Sequence, residues 1–190
     1  MKSLLIFFIA IFLNIALGAE LKVRTGTFFY NLSSEWHSLP PDSNNYTSDI
    51  KALLFKRNEI ADSKGVKVIP NILIKVMSSE GSSKDSTNDS QKIDIVTRLF
   101  LMNNAPPEVL EDYKNSKGKK TPINFSLPLT NYYIFDSPYK DNFKELHKCL
   151  YITFFKKDKI AGMILIDSTK EIYSKIQKEV EQFLKSIVAK

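Results

Sequence analysis

This chain is poor in the residues that most often carry chemistry: one cysteine, two histidines and six glycines in 190 residues. With Cys149 alone there is no internal disulfide, and no thiol lies beside the N-terminal apolar run to accept a lipid. His37 and His147 would have to converge with distant partners to complete a nucleophilic triad or a metal site. The few glycines form no phosphate-cradling loop and no Gly-x-Ser-x-Gly elbow, and there is no His-Glu-x-x-His. Neither Asp42 with Asp49 nor Asp136 with Asp141 has the ligand-dense spacing of a calcium loop. No cofactor is implied, and the chain reads as non-enzymatic.

What is present is a globular composition, 43% apolar and 25% charged, on a chain of single-domain length. Met1-Lys2, an apolar run from Leu4 to Leu17 and the small residues Ala16, Gly18 and Ala19 have the layout of a secretory signal peptide, residues 1–19, with an uncleaved anchor as the alternative. The mature part, 20–190, is then an exported protein, periplasmic or secreted, and a monomer or non-covalent oligomer. Cys149 sits among strand residues and reads as a small buried hydrophobe. The net charge of +6 is spread rather than banked, densest at Lys114, Lys117, Lys119 and Lys120 and at Lys156, Lys157 and Lys159. Export argues against nucleic acid as a partner, while weak contact with an anionic membrane surface stays open.

The stretch from Leu150 to Lys190 is the best specified. Leu150, Ile152 and Phe154 alternate with Tyr151, Thr153 and Phe155, a polar break follows, and Ile160 to Ile166 resumes the pattern, so the pair predicts an antiparallel hairpin. Ser168 with Glu171 has the spacing of a capping box. Ile172, Ile176, Val180, Phe183, Leu184 and Ile187 then recur at threes and fours, predicting a helix from Ser168 to Val188 with one buried side.

Earlier strands are predicted at Thr27 to Leu32, Ile50 to Phe55 and Ile72 to Val76, the last held off Pro70 because proline cannot donate to a ladder. Trp36 reads as a core or rim anchor. Ser78 to Ser90 holds no apolar side chain and predicts a mobile loop. Ile93, Val96, Leu99 and Phe100 predict a helix over Gln91 to Met102, and Pro106-Pro107 with Glu108, Glu111 and Asp112 opens a second one that ends near Asn115. Ile123 to Leu127 reads as extended, Thr130 to Phe135 as a strand, and His147 as preceding a strand. These elements suit an α+β fold, a central, mostly antiparallel sheet with helices on its faces and a long C-terminal helix packed across it.

Phe28 to Trp36, Pro70-Asn71-Ile72 opening an alternating strand, and Gly162 to Ile166 leading through Asp167-Ser168-Thr169 into a helix with Tyr173 and Phe183 resemble the PsbP and Mog1 type of α/β/α sandwich. That resemblance covers most of the mature chain. It implies a superfamily of photosystem II extrinsic proteins, a nuclear Ran-binding protein and exported bacterial proteins. No shared catalytic site comes with it, so no functional residue carries over.

The expected function is therefore an exported binding or assembly module that contacts a protein partner in the cell envelope. Tyr132, Tyr133, Phe135 and Tyr139 are the candidate contact residues, since exposed tyrosine offers large area and a hydroxyl at low entropic cost. Two rivals remain. A small apolar-ligand or lipid carrier needs a cavity between sheet and helix, and a hydrolase or metal-dependent enzyme needs His37 and His147 to meet in a pocket.

Overall fold

The computed structural model describes residues 18–39, 49–79, 88–116, 125–141, 143–156 and 159–190. Residues 1–17 of the expected leader, 80–87 of the serine-rich tract and the lysines at 117, 119, 120 and 157 lie outside the described residues. In chain order the strands are β1 (Ala19–Val23), β2 (Gly26–Tyr30), β3 (Trp36–Ser38), β4 (Ile50–Arg57), β5 (Ile60–Ala61), β6 (Lys67–Val68) and β7 (Asn71–Ser78). Helices α1 (Asp89–Asn104) and α2 (Pro107–Asn115) follow, then β8 (Asn131–Asp136), β9 (Tyr139–Lys140), β10 (Leu146–Lys156), β11 (Ile160–Thr169), helix α3 (Lys170–Ser186) and β12 (Val188–Ala189). The fold is α+β, as the patterns predict.

The centre is a seven-stranded antiparallel sheet in the order β3-β4-β7-β11-β10-β8, with β9 pairing onto β10. Its middle strands are apolar on both sides because both faces are covered. On β7, Ile72, Ile74 and Val76 are fully buried on one face, while Leu73 and Met77 pack on the other. Gly162 permits a close approach within the sheet. A Cβ there would run into the Phe154 ring and come within 2.8 Å of the Lys75 carbonyl, so the strand keeps the one residue without a side chain.

One face is covered by α3 and by a small sheet, β1-β2-β12. Ile172, Ile176, Val180, Phe183, Leu184 and Ile187 are all at most 2% exposed, which matches the predicted helical stripe. The helix is shorter than predicted, however. The hairpin runs on to the pair His147–Thr169, which keeps Ser168 in β11. Thr169 occupies the N-cap position without a side-chain hydrogen bond, so no Ser168–Glu171 capping box forms. Glu171 instead accepts from the Ser63 amide and hydroxyl. At the other end, residues 188–189 leave the helix to pair with β2. A strand before Thr27, β1, lies outside the predicted elements: its alternation is only Leu21 and Val23 about Lys22, too short to stand out in the sequence.

Arg57 and Glu179 clamp α3 to the sheet edge. The guanidinium forks onto the carboxylate at 3.0 and 2.8 Å, and the Trp36 indole N–H donates to the same carboxylate at 3.3 Å. The guanidinium holds Glu179 below the ordinary carboxylate range, against the opposing effect of burial.

The opposite face is covered by α1 and α2. Asn88 and Gln91 form a reciprocal capping box at the start of α1. Thr97, buried, meets the buried Thr153 hydroxyl of β10 and also donates to the Ile93 carbonyl. That pair fixes the rotation of α1, and with it which side chains face out.

Candidate functional site

The predicted tyrosine surface divides between the two cores. Tyr132 packs, half-buried, on the α3 side, while Tyr133 and Phe135 are 6% and 5% exposed on the other. The reason is α2, which Pro107 starts so that Tyr113 stands edge-on to both rings at 5.5 Å. Tyr133 and Phe135 are therefore core residues rather than contact residues. Residues 125–130 pair into no strand, and 123–124 of the stretch read as extended, Ile123 to Leu127, lie outside the described residues.

His37 and His147 are not brought together. His37 is exposed on β3, with its ring 2.9 Å from the Asn58 side-chain oxygen. His147 lies within β10 rather than before it, and three strands stand between β3 and β10. At ~4.8 Å per strand the two strands that carry them are roughly 19 Å apart. An enzyme site that needs both histidines in one pocket is not built here, and among the described residues no three His, Cys, Asp or Glu side chains are arranged to hold a metal ion.

His147 has other partners. Its Nδ1 is 3.0 Å from Asp167, its Nε2 is 3.5 Å from Asp141, and its ring stacks on Tyr139 at 4.9 Å. The Tyr139 hydroxyl donates to the second Asp167 oxygen at 3.1 Å. Burial, then the Asp167 charge, push the Tyr139 hydroxyl well above its usual range, so it stays a donor. Burial likewise pushes up the neighbouring Cys149 thiol, which keeps it protonated and inert as a nucleophile. Asp141 turns its other oxygen to the amides of Phe143 and Glu145. The cluster is a clamp that fixes the β9–β10 turn to the sheet, and it leaves no activated nucleophile.

The least expected surface is on α1. Ile93, Val96, Phe100 and Leu101 face the sheet, whereas Ile95, Leu99 and Met102 are 50%, 52% and 65% exposed. At ~100° per residue these three fall on one outward stripe. Leu99, expected inward, belongs to it. The helix is thus apolar on two opposite faces, and only one is used by the fold.

Clefts lie beside the sheet among the described residues. One of about 270 Å³ is lined by Leu127, Leu129, Phe154 and Phe155 among others. A second, about 430 Å³, lies between the 62–65 turn, residues 145–146 and the start of α3. The six side chains of the α3 stripe are all buried in the seam between sheet and α3, where an apolar-ligand carrier would need its cavity.

No protein-family model matches the chain, and no curated protein matches it. Among solved structures it is similar to LpqN of Mycobacterium tuberculosis, a protein involved in cell envelope biogenesis, at 10% identity and a TM-score of 0.51, over 90% of each chain. It is also similar to a protein from Bacteroides thetaiotaomicron at 11% identity and a TM-score of 0.49, covering 86% of this chain and 45% of that one. At such identities the LpqN likeness establishes a shared fold. Among the described residues no helix is long and apolar enough to cross a membrane.

Proposed function

We propose that the chain is an exported, non-catalytic module of the cell envelope that acts by binding a protein partner, with the outer stripe of α1 as its contact surface. The carrying observation is that stripe: Ile95, Leu99 and Met102 stand at least half exposed on a helix whose rotation is locked by the Thr97–Thr153 pair. Exposed apolar side chains set side by side on a rigid element are what an interface core is made of. The involvement of LpqN in cell envelope biogenesis supports the compartment, as does the signal-like start of the chain. The resemblance to the PsbP and Mog1 type belongs to this reading too, as the superfamily in which exported, non-enzymatic members of this shape would fall.

A photo-cross-linking residue placed at Leu99 or Met102, compared with one at the exposed Lys178 on α3, tests it in intact cells. The reading expects a discrete protein adduct from the α1 positions and none from Lys178. Equal labelling from both helices, or none from either, would contradict it.

A further inference from the structure

A second surface lies at the end of the sheet where the 62–66 turn meets Asp141 and residues 143–146. The two turns are bridged by Lys64 and Glu145 at 3.7 Å. Each carries bare apolar side chains: Val66 is 56% exposed, Phe143 87% and Leu146 40%. Phe143 is the most exposed large hydrophobic residue among those described, yet its position is built. Its amide and that of Glu145 both donate to Asp141 at 2.9 Å. The Lys144 amide donates to the Asp141 carbonyl and the Asp141 amide to that of Glu145. Lys144 takes a left-handed backbone, with φ 63°, which a lysine adopts only where the surrounding bonds hold it. On the other turn Asp62 accepts the Lys64 and Val66 amides in the same way.

The charges around these tips are not balanced in their engagements. Asp141 is taken by loop amides and His147, Glu145 by Lys64, Asp62 by its own turn, and Glu171 by Ser63 and Lys175. Lys140, Lys144 and Lys170 are exposed, and none of them is in an ion pair among the described residues. The N-terminus of α3, with its positive end of the helix dipole, opens on the same cleft.

From this we infer that this end of the molecule is a membrane-facing surface: Phe143, Val66 and Leu146 enter the interfacial layer while Lys140, Lys144 and Lys170 meet anionic lipid headgroups. The surface is distinct from the α1 stripe and would let the protein hold a partner and a bilayer at once. Separated apolar tips on a surface that also carries lysines outside any ion pair among the described residues suit a deformable headgroup layer better than a protein interface, which needs a continuous apolar core.

The test uses the full chain with Phe143→Trp as a reporter, Trp36 being fixed in the core at 7% exposure. It is mixed with vesicles of phosphatidylcholine, alone or with phosphatidylglycerol, whose acyl chains carry bromine as quencher. Because quenching reads the tip itself, attachment through another part of the chain does not mimic it. The expected result is a blue shift and quenching on the anionic vesicles, absent for Leu99→Trp. Lys140→Glu and Lys144→Glu should each lower the tip's vesicle affinity by about fivefold or more. An unquenched tip would overturn the inference, as would equal quenching at Leu99→Trp or quenching that ignores both the lysines and the lipid charge. A tip that stays unquenched but cross-links to a protein would replace the bilayer with a protein pocket.

Discussion

The two faces of the central sheet are covered by helices of opposite design. On one, α3 puts every apolar side chain of its stripe into the core and shows solvent mostly Lys, Glu and Gln. On the other, α1 buries one apolar stripe and leaves a second one bare. A helix that only had to stabilise the sheet would look like α3. The difference separates what the fold needs from what it leaves available, and the proposed contact surface lies on the outer side of α1, while Tyr133 and Phe135 of the tyrosine-rich strand pack beneath its inner side.

Breaking the α3 side should have the largest effect. Ile176→Asp or Phe183→Asp would bury an unpaired carboxylate where exposure is now 1% and 2%. A loss of about 4 kcal/mol or more is expected, enough to abolish a cooperative thermal transition. On the α1 side the sharpest lesion is Thr97→Val, which strands the buried Thr153 hydroxyl and should lower stability by about 1–3 kcal/mol in a denaturant titration. Thr97→Val with Thr153→Val should recover part of that loss.

A smaller effect belongs to the clamp between α3 and the sheet edge. The Glu179 carboxyl is depressed in the folded protein, so its contribution is present above the unfolded value of ~4.3 and is lost as pH falls through the lower folded value. Glu179→Gln should cost about 1–2 kcal/mol at neutral pH, given its partial exposure. Parent and variant should converge in stability once the pH is below the folded value. A constant gap down the whole acid limb would mean that the carboxylate's charge is not what the clamp uses.

Legibility in the sequence followed the same division. The hairpin of β10 and β11 and the face of α3 could be read because strict alternation and a threes-and-fours stripe each have one geometric solution. For α1 the apolar positions Ile93, Ile95, Val96, Leu99, Phe100, Leu101 and Met102 cover most of the helix circumference. Periodicity alone does not say which are inward, and Leu99, which it places inward, faces out. The His147 clamp was hidden for another reason. Its members are far apart in sequence and meet only when the hairpin register is carried past the apolar residues to His147–Thr169 and Cys149–Asp167. Extending that register by alternation would have put His147 and Asp167 on one face. Burial of Tyr133 and Phe135 depended on α2 folding back over β8, a tertiary contact that no local pattern records.

The smallest stability effect is expected where the functional one is largest. Leu99→Lys with Met102→Lys places two charges on a stripe already facing water, so denaturation should show a change within about 0.5 kcal/mol of the parent. The most direct test of the account joins that measurement to cross-linking of the same variant in the envelope, with the photo-reactive residue at Ile95. A protein with unchanged unfolding and no partner adduct is the predicted result. A variant that unfolds like Phe183→Asp would show the stripe to be part of the core, and one that keeps both its stability and its adduct would show the stripe not to be the contact surface.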